Sequence, residues 1–369
     1  MKSVRRTGWR RRFLCCGVVA AALVLVSLLS REVRFLTRAA FEEGRILLKR
    51  QSLESLVANP ATPSSRRDLF TLVLEAREFA AETLKLDAAQ TYMSFSDIGR
   101  DTLVLVLSAS PRTALEPYLW HYPILGAVAY KGYFRPAAAV RAAQDLESKG
   151  YDTYLRPAGA FSTLGWFNDP LLSTALSGDS AQLVATVIHE ITHNTLYVRG
   201  ATSFNESFAS FVGHRGAEDF FALRGDTANV KRVQDTWADE LLLAYFYERL
   251  EAELQSLYES DLSEDAMIRE RTRVFAVARA WFWGPGGDSL KIYRADRMAM
   301  RTLNNASLVA ARFYRTRLPV FGVVHDRLGR DLARTVREIV VANAHATDAG
   351  PFAVLDRLAA DGSTTLRPR

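Results

Sequence analysis

Residues 182–198 carry Leu183, Val184, Val187, Ile188, Ile191 and Leu196 at the three- and four-residue spacing of a helix with one buried face. The same stretch holds His189, Glu190 and His193. Four residues apart, the two histidines share one helix face, and both imidazoles can reach a single ion about 2.0–2.1 Å away. Glu190 lies about 100° round the helix from His189, where its carboxylate can hold a water bound to that ion and take its proton as the oxygen attacks a carbonyl. This is the mechanical content of the HExxH pattern.

A catalytic ion of this kind needs a third protein ligand and one open position. Ten residues after His193 begins Ser203-Phe204-Asn205-Glu206-Ser207-Phe208-Ala209-Ser210-Phe211-Val212. Glu206 has two readings there. Ser203 can cap a second helix with Glu206 as its capping-box partner. Alternatively, a turn near Gly200 folds the second helix back onto the first, and Glu206 completes a His189, His193, Glu206 set on one Zn²⁺. Phe204, Phe208 and Phe211 would then pack the second helix against its neighbour, and Asn205 is a candidate to support the ligands or the substrate. The longer pattern HExxHxxGxxH is absent, since Leu196 stands at its glycine place and Arg199 at its third-ligand place.

The formal charge of +6 comes from 47 Lys+Arg against 41 Asp+Glu. Lys2, Arg5, Arg6, Arg10, Arg11 and Arg12 account for the whole excess, so the rest of the chain is neutral and a nucleic-acid partner loses its support. Residues 13–30 follow as eighteen positions without a charge. A helix of that length spans roughly 27 Å, close to a ~30 Å hydrocarbon core. Leu28 and Leu29 crowd the one site where a leader peptidase would cut, so the segment reads as an uncleaved anchor. The basic tail places itself in the cytoplasm and everything after Arg31 outside. Both cysteines, Cys15 and Cys16, fall in the span, leaving the exported part with no disulfide and no cysteine nucleophile.

The expected organisation is residues 1–30 as tail and anchor, and 31–369 as one extracytoplasmic domain. Within it, 31–100 read as a helical lead-in: a helix over 32–57, a break at Asn59-Pro60-Ala61-Thr62-Pro63, and a helix over 66–84. Residues 101–180 read as a sheet region with strands near 102–107, 126–130 and 152–155 and a helix over 136–148. Residues 181–369 read as a helical half, including a pair at about 226–260 and 264–281. The fold class is α+β, a small N-terminal mixed or antiparallel sheet followed by a mainly helical half, with an N-terminal membrane-spanning helix.

The run HEITHNTLYVRGATSFNESFASFV resembles the bacterial putative aminopeptidase family, whose members carry HELAHQ…YVKGDT…FNESFA. Asn59-Pro60-Ala61-Thr62-Pro63, Tyr130-Lys131-Gly132-Tyr133-Phe134, Ser162-Thr163-Leu164-Gly165-Trp166-Phe167 and Leu303-Asn304-Asn305-Ala306 fall in the family's order, so the resemblance covers most of the chain beyond residue 30. It implies a gluzincin-like zinc peptidase acting on peptides, with His189, His193 and Glu206 as ligands and Glu190 as base. The sequence departs from the family twice. The cysteine that would carry a lipid after the apolar segment is absent, and Gly213 stands where an acidic residue usually follows the FNESFA helix.

Tyr197, Tyr314 and Asn305 are further candidates to contact substrate or to stabilise an oxyanion, with a packed core tyrosine as the plain alternative for the two phenols. Residues 162–167 can form an edge strand for an extended peptide or an internal loop. His214 reads as a surface histidine and His121 as a packed core residue, while His325 and His345 carry no signal. A non-catalytic envelope protein that keeps the fold as a peptide- or metal-binding scaffold is the competing function. The presence of Glu190 argues against it, because a scaffold has no use for the base. Hydrolysis of an ester or another amide, and the oligomeric state, stay open at this level.

Overall fold

The computed structural model describes residues 31–100, 102–122, 126–158, 170–346 and 350–360. The basic tail, the apolar anchor and residues 162–167 lie outside the described residues. Among the described residues no helix is long and apolar enough to cross a membrane.

The lead-in comprises α1 (Arg31–Leu48), β1 (Gln51–Ser52), α2 (Leu53–Ala58) and α3 (Ser64–Glu82). The single helix expected over 32–57 is therefore interrupted. Gln51 and Ser52 leave the helix to pair antiparallel with Phe95 and Ser94 of β2 (Ser94–Ser96), and Ser52 then caps α2 by accepting from the Ser55 N–H. A helical amphipathic pattern continues across this break, so periodicity alone does not reveal it.

Five strands and one helix follow: β3 (Val104–Pro111), β4 (Trp120–Tyr122), β5 (Gly126–Val128), β6 (Lys131–Tyr133), α4 (Pro136–Glu147) and β7 (Tyr151–Ala158); β8 (Leu171–Leu172) comes after residue 170. The one small sheet read from the sequence is resolved into three. An antiparallel sheet has the order β6-β3-β7, a mixed sheet β1-β2-β8, and β4-β5 form a hairpin. β3 is long and apolar enough to sit centrally, while the mixed sheet consists of two- and three-residue strands that pair only locally. In the β3–β7 register Leu107 faces Leu155 and Val106 faces Arg156. Ala143 and Leu146 of α4 pack under Leu107 and Ala109, covering one side.

The helical half runs through α5 (Ser180–Thr195), α6 (Thr202–Leu223), α7 (Thr227–Tyr258), α8 (Glu264–Ala280), α9 (Pro285–Asp288), α10 (Ala295–Ala299), α11 (Asn305–Arg315), α12 (Leu318–Arg327), α13 (Leu332–Ala344) and α14 (Pro351–Ala360). Its core is continuous with the lead-in, because Phe70 and Val73 of α3 join Ile188, Phe208, Phe211 and Phe321 in one buried cluster. Each such side chain contributes about 1.5–3 kcal/mol on burial.

Two contacts set the geometry of the site. The first is the α5–α6 seam, where α6 presents Gly213 and Gly216. A Cβ at Gly213 would lie 2.6 Å from the Ala185 carbonyl oxygen and 3.1 Å from His189 Cβ, so the two backbones meet where no side chain fits. The second is a buried joint between sheet and helices. Asp152 of β7 pairs with Arg271 of α8 and accepts from the Asn305 N–H at 2.9 Å. The Asn305 side-chain amide donates to the carbonyls of Pro111 (2.9 Å) and Ala114 (3.1 Å) and accepts from the Tyr258 hydroxyl (2.8 Å).

Candidate metal centre

α5 begins with Asp179 as N-cap, its Oδ1 accepting from the Gln182 N–H at 2.9 Å. Its far end is pinned by Asn194, which donates to the Asp87 carbonyl (3.1 Å) and the Thr91 hydroxyl (2.8 Å). The chain then reverses through residues 196–201, with Gly200 at φ +78°, a left-handed value that glycine takes without strain. Asn205 holds this turn from both sides. Its Oδ1 accepts from the Val198 N–H at 2.9 Å, and its Nδ2 donates to the Val198 carbonyl at 2.8 Å. Asn205 is 2% exposed, so its amide acts on the turn that brings Glu206 to α5 and makes no direct contact with the three donors among the described residues.

The capping-box reading of Glu206 fails. α6 starts at Thr202 with Ala201 as N-cap and no side-chain cap, so Ser203 is already inside the helix. Glu206 instead faces α5. Its Oε2 lies 3.4 Å from His189 Nε2 and its Oε1 3.8 Å from His193 Nε2, while the two Nε2 atoms are 3.2 Å apart. One ligand atom from each residue falls within 4.8 Å of the others, the arrangement of a group that could hold a metal ion. Two imidazole nitrogens and one carboxylate oxygen on three side chains suit zinc, and three protein ligands leave a position open.

The electrostatics suit a cation. Burial lowers the His193 pKa, aided by the charge of His189, to about 4, so its imidazole is neutral at pH 7. Burial also pushes His189 down, but its hydrogen bond to Glu206 and the charges of Glu190 and Glu206 outweigh this and raise its pKa. Burial would raise Glu206, yet His189, His193 and Arg156 hold its carboxyl below the usual range, so it stays ionised. Glu190 is half-buried on α5.

Tyr130, Tyr314 and Arg156 lie near enough to Glu206 for their charges to be felt there, and Tyr197 lies near Tyr130. Tyr314 on α11 is half-buried, and burial together with the Glu206 charge raises its pKa to about 12. The same two effects raise Tyr130, which remains 37% exposed. Tyr197 is 53% exposed in the turn after α5. Arg156 lies with its guanidinium 5.8 Å from the centre of the Tyr314 ring. Asn305 is fully buried with its amide engaged at the sheet–helix joint, so it has no atom for a substrate; this corrects the expectation from sequence.

Two histidines are placed differently from their sequence readings. His214 is half-buried against Trp237, ring centres 5.2 Å apart, and not on the surface. His121 is exposed on β4 instead of packed in a core. Sequence reasoning missed Arg156 and Tyr130. The second stands in the Tyr130-Lys131-Gly132-Tyr133-Phe134 segment that carried part of the resemblance, while nothing in the sequence distinguishes Arg156 from other strand arginines.

The sequence model of a family described as “Putative aminopeptidase” matches residues 34–348. The chain belongs to this family. Membership in the putative aminopeptidase family supports a peptidase-like activity on peptides, and the matched span contains His189, Glu190, His193 and Glu206 as well as Tyr130, Arg156 and Tyr314. Comparison with curated proteins and with solved structures gives no match.

Proposed function

We propose that this chain is a zinc-dependent, gluzincin-like peptidase, anchored to the membrane by residues 1–30 and working as one domain on the extracytoplasmic side. The observation that carries the reading is the convergence of His189, His193 and Glu206 from two consecutive helices, with Glu190 beside the first histidine. These three side chains would hold the ion. When bound, zinc supplies a Lewis acid that lowers the pKa of water and polarises the scissile carbonyl.

The chain's own groups do the rest. Glu190 takes the proton of the attacking water and returns it to the leaving amine. Tyr314, kept in its neutral phenol form at pH 7, donates a hydrogen bond to the carbonyl oxygen as charge builds there. Tyr197, 53% exposed in the turn after α5, supplies a further contact to the substrate in this reading. Family membership favours amino-terminal specificity.

The test uses the full chain in detergent. Zinc stoichiometry is measured for wild type and Glu190→Gln, and both are assayed on free and N-blocked peptides. One zinc per chain in both proteins, with cleavage slowed about 10²–10⁴-fold in Glu190→Gln, is the expected result. Preference for unblocked peptides establishes aminopeptidase action. No zinc in the wild type overturns the reading.

A further inference from the structure

Arg156 differs from the other arginines around it. Arg271 pairs with Asp152, Arg312 with Glu251 at 3.0 Å, and Arg315 with Glu240 at 2.7 Å. Among the described residues Arg156 has no carboxylate within ion-pair distance; its guanidinium lies 5.8 Å from the centre of the Tyr314 ring. A guanidinium offers five N–H donors in a fixed fork, and among the described residues none of them meets a carboxylate. A half-buried arginine is costly to keep in that condition. The strand register explains how it gets there. Arg156 lies opposite Val106 of the central strand β3, and α11, which carries Tyr314, is fixed to β7 through Asp152 and Asn305. Tyr130 packs its ring against Phe313, the neighbour of Tyr314, with ring centres 6.4 Å apart. Ser207, the neighbour of Glu206, donates to the Phe313 carbonyl (3.5 Å) and accepts from the Thr316 N–H (3.1 Å), so the end of α11 that carries Tyr314 beside Arg156 lies against the helix of Glu206, whose carboxyl the arginine's charge helps to hold down.

We propose that Arg156, flanked by the hydroxyls of Tyr130 and Tyr314, is a carboxylate-binding subsite that selects peptides presenting a carboxylate close to the scissile bond. The inference rests on the peptidase reading and names its substrate class. The planar fork matches a carboxylate with two parallel hydrogen bonds, and the phenols can donate further ones. A free amine placed there would be repelled. The carboxylate has two sources, the carboxyl terminus of a short peptide or an acidic side chain.

The experiment takes zinc-loaded full-length chain and three matched peptides: a neutral short peptide with a free carboxyl terminus, its terminal amide, and the amide with aspartate next to the scissile bond. Amidation should lower kcat/KM roughly ten- to a hundredfold, mainly through KM, the size of a lost charge-assisted pair. Recovery by aspartate assigns a side chain as the source; failure to recover assigns the terminus. In Arg156→Gln the free acid and the amide should be cleaved alike, in Arg156→Lys part of the preference should survive, and zinc affinity should stay within about threefold in both. Equal cleavage of the free acid and both amides by wild type overturns the proposal, and so does an undiminished preference in Arg156→Gln. If no peptide is cleaved, the peptidase reading fails, and calorimetric binding of the same peptides to Glu190→Gln decides the subsite. Binding that needs both the carboxylate and Arg156 upholds it; binding that needs neither, or no binding, overturns it.

Discussion

On the α5–α6 hairpin the three candidate ligands sit on consecutive helices joined through residues 196–201, and their placement follows from local rules: a four-residue spacing, a glycine turn and a close helix seam. On the sheet side Arg156 comes from β7 and Tyr130 from beside β6, and they meet Tyr314 from α11, an element far along the chain from both. The hairpin therefore carries its chemistry as a unit, whereas the sheet side exists only after distant pieces are assembled. A change in the hairpin should register first in metal affinity, and a change on the sheet side in substrate selection.

The sharpest way to break this contrast is Glu206→Gln. Losing a ligand charge should weaken zinc binding by roughly a hundredfold or more in a chelator competition. Unchanged affinity would remove Glu206 from the ligand set and make the hairpin ordinary packing. Next in size is Gly213→Ala. The added methyl meets the Ala185 carbonyl oxygen at 2.6 Å, which should cost about 2–3 kcal/mol, offset by about 1 kcal/mol of improved helix propensity. A net loss near 1–2 kcal/mol in denaturant unfolding, with weaker zinc binding, is expected; a neutral result would show that the seam is free to open.

The smallest effect concerns pH. If His189 holds the proposed zinc, the metal competes there with a proton, whose affinity for His189 is raised above the ordinary pKa of 6.5. Affinity should therefore be full above that raised pKa and fall as pH drops through it, by about tenfold per unit below. His193, with a pKa near 4, adds its own loss only in much more acidic solution. Because the Glu190 charge helps to raise His189, Glu190→Gln should shift the upper midpoint downward. No shift would mean that the base and the ligand are electrically independent.

The contrast also explains what the sequence could disclose. His189, Glu190 and His193 are readable because helix periodicity puts i and i+4 on one face in any context. Helices 136–147, 227–258 and 264–280 were legible for the same reason, close to the boundaries read from spacing. Glu206 was readable only as a choice between cap and ligand, since the cap depends on where α6 begins, and Ala201 rather than Ser203 takes that place. The break between α1 and α2 comes from pairing with residues 94–95, and the three-sheet arrangement from pairings such as β2 with β8; no local signal encodes either. Asn205 and Asn305 are polar residues in marked segments, yet both engage their amides with backbone or buried partners. A conspicuous asparagine thus announces a constrained backbone as readily as a reactive site.

Asn305 has a mechanical consequence. It fixes one end of α11 to the sheet, and Tyr314 rides the same rod nine residues further on, about 13 Å along the axis. A tilt of about 5° at that pivot would swing the phenol by roughly 1 Å, a displacement that in an enzyme can cost on the order of a hundredfold in rate. The placing of the Tyr314 oxygen is in this sense set at the hinge pin, among groups that never meet a substrate.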